Sequence, residues 1–269
     1  MNKYDEYIKF KTSLLEQIGI LAESFEALGL KTQAYHLRGK QDRVNANTFN
    51  VMVMGNYNTG KSTFVNALVG EEILPTDILP CTAVVNEIKY GTEKKAIVHF
   101  KNPLPSKFAT LSSIKAKSYL ERYNNEIPPL KISLTDLKEF VQIENPEDIS
   151  DGAELETPID KVEIFLPLDL CSKGVTLVDT PGLEDHSTRT NIVYNYFKNA
   201  DVVLFLMNAY PAPTKESEMG VIDRVIRGGG HEFIFFICNR MDMVSSRDRD
   251  RLQTFIRTRL KNKTRLELW

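Results

Sequence analysis

The chain has 269 residues, 42% hydrophobic and 26% charged, with 34 basic residues against 36 acidic ones and a net charge of −2. These are the proportions of an ordinary globular protein, which excludes a disordered tail, a collagen-like repeat and a disulfide-stapled scaffold. No global field draws such a chain to nucleic acid or anionic lipid, so any partner of that kind needs a local patch. The length suits one large domain, or one domain with an appendage. Cys81, Cys171 and Cys238 are an odd number at wide spacing, fitting neither a paired framework nor a clustered metal site, and a reducing cytoplasm is expected. The charged N-terminus lacks a signal-peptide apolar run, and no stretch approaches about 20 apolar residues, so no spanning helix is expected.

Residues 1–45 form the first segment, and its first forty residues read as one amphipathic helix. Tyr7, Leu14, Leu21 and Leu28 recur every seven residues, and Tyr4, Ile8, Leu15, Ile18, Ala22 and Phe25 widen the stripe. So broad a face must be covered, either by the chain's own globular domain or by partner helices of a bundle. Gly29 and the polar tract 38–48 loosen the pattern, the latter as a linker or a second short helix. From residue 46 to 269 short apolar runs alternate with helical patterns. Strands are expected at 49–54, 83–90, 96–100, 161–166, 175–178, 202–207 and 233–238, and helices at 61–69, 190–198, 215–227 and 246–261. The plan is α/β, with a mainly parallel central sheet flanked by helices. A proline-punctuated insertion at about 102–158 is less regular, with one short helix expected at 134–143.

Three motifs carry chemistry. Gly55-Asn56-Tyr57-Asn58-Thr59-Gly60-Lys61-Ser62 matches G-x-x-x-x-G-K-[ST] and lies between a hydrophobic strand and a helix, where backbone amides can cradle phosphate oxygens. Lys61 then reaches the outer phosphates and Ser62 is a ligand for Mg²⁺, the expected cofactor. Asp179-Thr180-Pro181-Gly182 follows a second apolar strand; the carboxylate can hold Mg²⁺ and the Gly182 amide can approach a γ-phosphate. Asn239-Arg240-Met241-Asp242 ends a third strand and resembles the N-K-x-D base-reading motif of GTPases. An aspartate there accepts hydrogen bonds from the ring N–H and amine of guanine, whereas adenine leaves it unpaired, so GTP is expected over ATP. In the segment 74–85, Thr82 is the chosen switch threonine, a metal and γ-phosphate contact, with Thr76 its rival.

The chain resembles the dynamin superfamily of large GTPases, bacterial dynamin-like proteins and mitofusins above all. The resemblance rests on residues 55–63, on Pro80-Cys81-Thr82-Ala83, on Asp179-Thr180-Pro181-Gly182 and on Asn239-Arg240-Met241-Asp242, whose arginine resembles the mitofusin form, and it covers about residues 45–245. It implies a P-loop GTPase domain, catalytic Lys61, Thr82 and Gly182, nucleotide contacts from Asn56, Tyr57, Asn58, Thr59, Gly60, Lys61, Ser62, Thr63, Asn239, Arg240 and Asp242, and metal contacts from Ser62, Thr82 and Asp179. It further implies GTP and GDP as ligands, homo- or hetero-oligomers through the GTPase face and a neck-like N-terminal helix, and membrane remodelling or fusion from a cytoplasmic or peripheral position, with membrane contact indirect or through segments this sequence lacks; no nucleic acid partner is expected. Tyr57 and Asn58 stand where classical dynamins place glutamine and serine, so hydrolysis is expected to be weak. No glutamine follows Gly182 to orient water; Glu184 and His186 are the nearby candidates. After Asp242 the chain offers one helix and stops at Trp269. The family's last strand, returning neck helices and membrane tip have no sequence to form them, and a fragment or a partner-supplied remainder is expected. Two further readings stand beside the leading one: a catalytically weak GTP-dependent interaction module, and a regulatory GTPase of the ribosome-assembly or tRNA-modification kind, which the charge balance does not support.

Overall fold

A computed structural model describes residues 3–56, 58–76, 84–105, 111, 113–123, 126–141, 157–183, 193, 196–197, 199–210 and 233–263. The chain divides into two compact units, Met1–Phe49 with Lys173–Val175, and Asn50–Ser172 with Thr176–Trp269.

In the first unit the apolar stripe makes two helices, α1 (Lys3–Ala27) and α2 (Lys31–Asn45), rather than the single helix expected. The break falls at Gly29, whose φ of +78° is left-handed backbone that ends a helix with least strain in glycine. The two helices pack closely because their contact is built from small side chains: Ala22 and Ala34 are fully buried, and Gly19 lies against the Gln41 amide. Gln41 Nε2 donates to Leu15 O at 2.9 Å, and Arg38 pairs with Glu26 at 2.9 Å. Much of the larger apolar surface is left outside, with Tyr7, Phe10, Ile20, Leu21 and Leu28 all exposed.

The second unit holds most of an eight-stranded sheet: β1 (Phe49–Gly55), β2 (Val85–Tyr90), β3 (Lys95–Phe100), β4 (Leu130–Ile132), β5 (Ile159–Leu166), β6 (Val175–Asp179), β7 (Val202–Asn208) and β8 (Ile234–Asn239), in the order β4-β3-β5-β2-β6-β1-β7-β8. β1, β7 and β8 run parallel, as do β2 and β5. β1 buries Met52, Val53 and Met54 in succession, which suits a strand covered on both faces. The antiparallel joints, β2 with β6 and β3 with both β4 and β5, lie in the other half. The short connection from Tyr90 to Lys95 reverses the chain, so β2 and β3 run in opposite directions with β5 between them. β3 and β5 alternate buried and half-exposed residues.

All seven expected strands form within a residue or two of their expected ends. β4 is additional, and lies with α4 (Ile114–Leu120) and α5 (Leu134–Val141) in the insertion. α3 (Lys61–Val69) has its expected limits, and the last described helix, α6 (Arg249–Lys263), starts three residues later than expected because Ser245 and Asp248 first close a turn through a 2.7 Å side-chain hydrogen bond. Val193, Tyr196 and Phe197 are helical, within the helix expected at 190–198, and the helix expected at 215–227 lies outside the described residues. The main core joins Met52, Met54, Val178, Val203 and Phe205 of the sheet to Val193 and Phe197 and to Ile256 and Leu260 of α6. This packing holds the carboxyl ends of β1, β6, β7 and β8 in fixed relation.

Candidate nucleotide site

β1 ends at Gly55, and the chain turns through Asn58 (φ +61°) and Gly60 (φ +83°) into α3. A Cβ on Gly60 would lie 2.6 Å from Asn239 Nδ2, so only glycine lets the loop meet the end of β8 this closely. Thr59 Oγ1 donates back to Asn56 O at 2.9 Å and tightens the turn. Lys61, only 6% exposed, reaches back along the loop, with Nζ donating to Gly55 O at 3.2 Å and Asn56 O at 2.9 Å. The result is a buried ammonium inside a backbone loop at a helix N-terminus, an arrangement suited to phosphate oxygens.

Asp179, at the end of β6, is fully buried and accepts a 3.0 Å hydrogen bond from Ser62 Oγ through Oδ2, while its Oδ1 has no hydrogen-bond partner. Burial pushes its carboxyl up to about 6, with the charge of Lys61 and hydrogen bonds from Ser62 and Asn86 pulling the other way. A buried carboxylate oxygen left without a partner is costly unless something else meets it. With the Ser62 hydroxyl beside it, the donor set is hard oxygen, which fits Mg²⁺. Among the described residues no group of three or more His, Cys, Asp or Glu side chains could hold a metal. A sparse protein set is what a phosphate-bound Mg²⁺ requires, since water and phosphate supply the remaining ligands. Beyond Asp179, Thr180 Oγ1 donates to Val53 O at 2.9 Å, and Leu183 N donates to Gly55 O at 3.1 Å, so residues 180–183 are stitched to the end of β1 and Gly182 lies beside the loop.

The third motif closes the site. Asn239 Nδ2 donates to Thr59 O at 2.8 Å, its Oδ1 accepts from Arg240 N at 2.9 Å, and its backbone carbonyl accepts from Ala209 N at 2.7 Å. Arg240 takes left-handed backbone (φ +60°), which swings its guanidinium toward the loop, and Nη2 donates to Asn58 O at 2.9 Å. Arg240, which stands where the N-K-x-D pattern has lysine, thus reaches the loop through one guanidinium nitrogen. Asp242 follows on a short 3-10 turn (Met241–Met243) and is exposed rather than buried, because the turn carries it past the strand end.

The structure thus brings together Asn56, Asn58, Thr59, Gly60, Lys61, Ser62, Asp179, Gly182, Asn239 and Arg240, with Thr63 on the exposed side of α3 and Asp242 at the margin. Tyr57, Thr82, Glu184 and His186 lie outside the described residues. Thr76, the rival to Thr82, is exposed and bonds Glu72 at 3.4 Å. Three supporting residues escape sequence reasoning. Asn66 is a buried staple: its Nδ2 donates to Leu74 O at 2.9 Å, while its Oδ1 accepts from Ile73 N and Leu74 N at 3.1 and 2.9 Å, fixing the segment that leaves α3. Asn86 is the register partner of Asp179 on β2. Asn208 is the register partner of Asn239 on β7, and its buried Oδ1 has no hydrogen-bond partner. The one available signal is a polar amide inside an apolar run, which also describes many solvent-facing asparagines.

The family model described as the dynamin family matches residues 51–241. The chain belongs to the dynamin family. Its dynamin-type segment is 33% identical over 196 residues to a bacterial dynamin-like protein of Nostoc punctiforme, covering 73% of this chain and 25% of that protein. It is 26% identical to dynamin-like protein A of Bacillus subtilis, covering 83% of this chain and 21% of that one, and 26% identical to a mitofusin of Saccharomyces cerevisiae, covering 82% and 25%. This dynamin-family chain therefore spans about a quarter of the length of these relatives. Among solved structures, one chain of an oligomerised bacterial dynamin pair, described as sensing and tethering membranes over long range, shares the fold with a TM-score of 0.58 at 18% identity, covering 96% of this chain and 36% of that one. Among the described residues no helix is long and apolar enough to cross a membrane.

Proposed function

We propose that this chain binds GTP with Mg²⁺ and hydrolyses it to GDP and phosphate, as the nucleotide-driven part of a dynamin-like machine that remodels or fuses membranes. The observation that carries the reading is the joining of three motifs by hydrogen bonds: Ser62 to Asp179, Asn239 to Thr59 and Arg240 to Asn58. Motifs that occur together by chance have no reason to converge on one loop. In this reading Lys61 and the loop amides bind the β- and γ-phosphates and oppose the charge that grows on them as the terminal phosphoryl group leaves. Ser62 and Asp179, with Thr82 from the switch segment, hold Mg²⁺, which when bound supplies electrophilic stabilisation of the same oxygens. Thr82 and the Gly182 amide contact the γ-phosphate and orient water. Asn239 positions the loop, the Arg240 stem lies along the base, and Asp242 reads the guanine N–H and amine.

Pairing of GTPase faces, and assembly through α1 and α2, belong to the same proposal. The exposed Tyr7, Phe10, Ile20 and Leu21 of α1, with Leu28 just beyond it, favour a second reading, a GTP-dependent interaction module in which hydrolysis is slow and partner capture is the output. Base recognition tests what both readings share. Wild-type chain is expected to bind GDP and not ADP, and Asp242→Asn to weaken GDP by about 100-fold or more while gaining xanthosine diphosphate, because the amide can donate to the C2 carbonyl of xanthine. Equal binding of GDP and ADP by the wild type would overturn guanine recognition.

A further inference from the structure

At the far edge of the sheet, remote from the nucleotide loop, lies a cleft of about 800 Å³. Its walls are α4, β4, the start of α5 and the turn between β2 and β3. The sheet order puts β4 five strand steps from β1, which at about 4.8 Å per step is about 24 Å, so one bound nucleotide cannot occupy both places. The lining carries five cations, Lys94, Lys95, Lys115, Arg122 and Lys131, against one carboxylate, Asp136. In a chain of net charge −2 this is the local basic patch that the overall composition does not supply.

The cations are differently committed. Lys94 pairs with Glu71 at 2.6 Å and Lys115 with Asp136 at 3.1 Å; exposed pairs of this kind contribute little and can exchange partners readily. Lys95 lies 5.4 Å from the centre of the Phe165 ring. Arg122 and Lys131 are exposed and make no ion pair with a described residue. The lining also has an apolar part. Phe140 and Ile132 are buried, and Tyr119 is fixed by stacking on Phe100 at 5.7 Å and by donating from its hydroxyl to Pro128 O at 3.1 Å. Ser118 and Ser133 add hydroxyls to the lining.

We propose that this cleft binds a compact ligand bearing two or more phosphate groups. The volume is that of a small-molecule site, and clustered cations with an arginine fork match several phosphate oxygens on one scaffold better than a single carboxylate. The cations line one cleft of small-molecule size, so an extended nucleic-acid backbone is a poor fit. The phosphates belong either to a lipid headgroup or to a soluble polyphosphorylated metabolite; both present the same chemistry to Arg122 and Lys131.

The test uses the full chain loaded with GDP, so that the nucleotide loop is filled, with free Mg²⁺ removed. Calorimetric titration with tripolyphosphate is expected to show binding that falls at least tenfold in the Arg122→Glu, Lys131→Glu double variant, with GDP affinity and circular dichroism unchanged. Should that variant fail to fold, Lys131→Ala is expected to weaken tripolyphosphate about threefold. Co-sedimentation with phosphatidylcholine vesicles containing one-fifth cardiolipin identifies the source: retention lost in the same variants places the phosphates on a lipid, and tripolyphosphate binding alone makes them soluble. The proposal is overturned if neither tripolyphosphate nor cardiolipin vesicles bind, if binding is indifferent to both substitutions, or if a random single-stranded 20-mer binds more tightly than either and with the same dependence.

Discussion

Lys61 and Asp179 are buried charges of the nucleotide site, each held by neighbouring groups of the loop and of α3. The lysine ammonium donates to the carbonyls of Gly55 and Asn56, while the aspartate keeps one oxygen on Ser62 and one without a hydrogen-bond partner. Lys61→Ala is expected to leave the fold intact and to lower the rate of GTP hydrolysis by about 100-fold or more, since it removes charge where charge develops. A variant with wild-type turnover would show that Lys61 only staples the loop. Asn66 bears on stability instead. Asn66→Ala removes three hydrogen bonds, two of them buried, and leaves two backbone amides and a carbonyl to find new partners. A loss of about 2–3 kcal/mol is expected in urea unfolding. The glycines, lysine, serine and aspartates of the site are legible in the sequence because their spacing is dictated by phosphate and base geometry. Asn66 and Asn86 are not, because each lies by a backbone or carboxyl group that only the fold brings near.

Among the elements, β2, β5 and β3 carry a charged face whose energetics follow from register. Glu87 and Glu163 are direct neighbours on parallel strands, an unfavourable pairing that Lys89 relieves by bridging both, with Lys161 on Glu87 at 3.1 Å and His99 on Glu163 at 2.8 Å. Tyr196 donates to Glu87 at 3.0 Å and ties the helix following the second phosphate motif to this ladder. Burial acts to raise the Glu163 carboxyl, but hydrogen bonds from Lys89 and His99 and the positive charge around it prevail and hold it at about 2. A depressed carboxyl stabilises the fold above its unfolded value of 4.5, and that contribution is lost as pH falls from there toward 2. Allowing for partial exposure, the contribution is about 2 kcal/mol. Glu163→Gln is therefore expected to be less stable than wild type at pH 7 and nearly equal to it at pH 2.5 by urea midpoint; a gap that stayed constant with pH would contradict the ladder's role. The strands of this region are readable as apolar runs, but the pairing of like charges is not, since register depends on which strand β5 inserts beside. β4 is invisible for a simpler reason: three residues carry no period. The break between α1 and α2 had its signal in Gly29, but the seven-residue stripe runs unbroken up to Leu28 beside it and the stretch reads as one helix.

For the whole molecule, the sheet order separates two chemistries. The nucleotide loop leaves β1 with β6 and β7 on either side, and the basic cleft lies beyond β3 at the other edge. The α/β plan follows from composition and alternation, and the dynamin family from the order of three motifs, whereas the cleft is assembled from residues 94–140 in which no motif is recognisable. The near-neutral total charge conceals it, because a sum over the chain carries no position. The proposed GTPase activity is tested by phosphate release from GTP measured over a range of protein concentrations with and without Mg²⁺. Release is expected to require Mg²⁺, to be absent with ATP and to be lost in Lys61→Ala. Tight GTP binding with no Mg²⁺-dependent release at any protein concentration would contradict it.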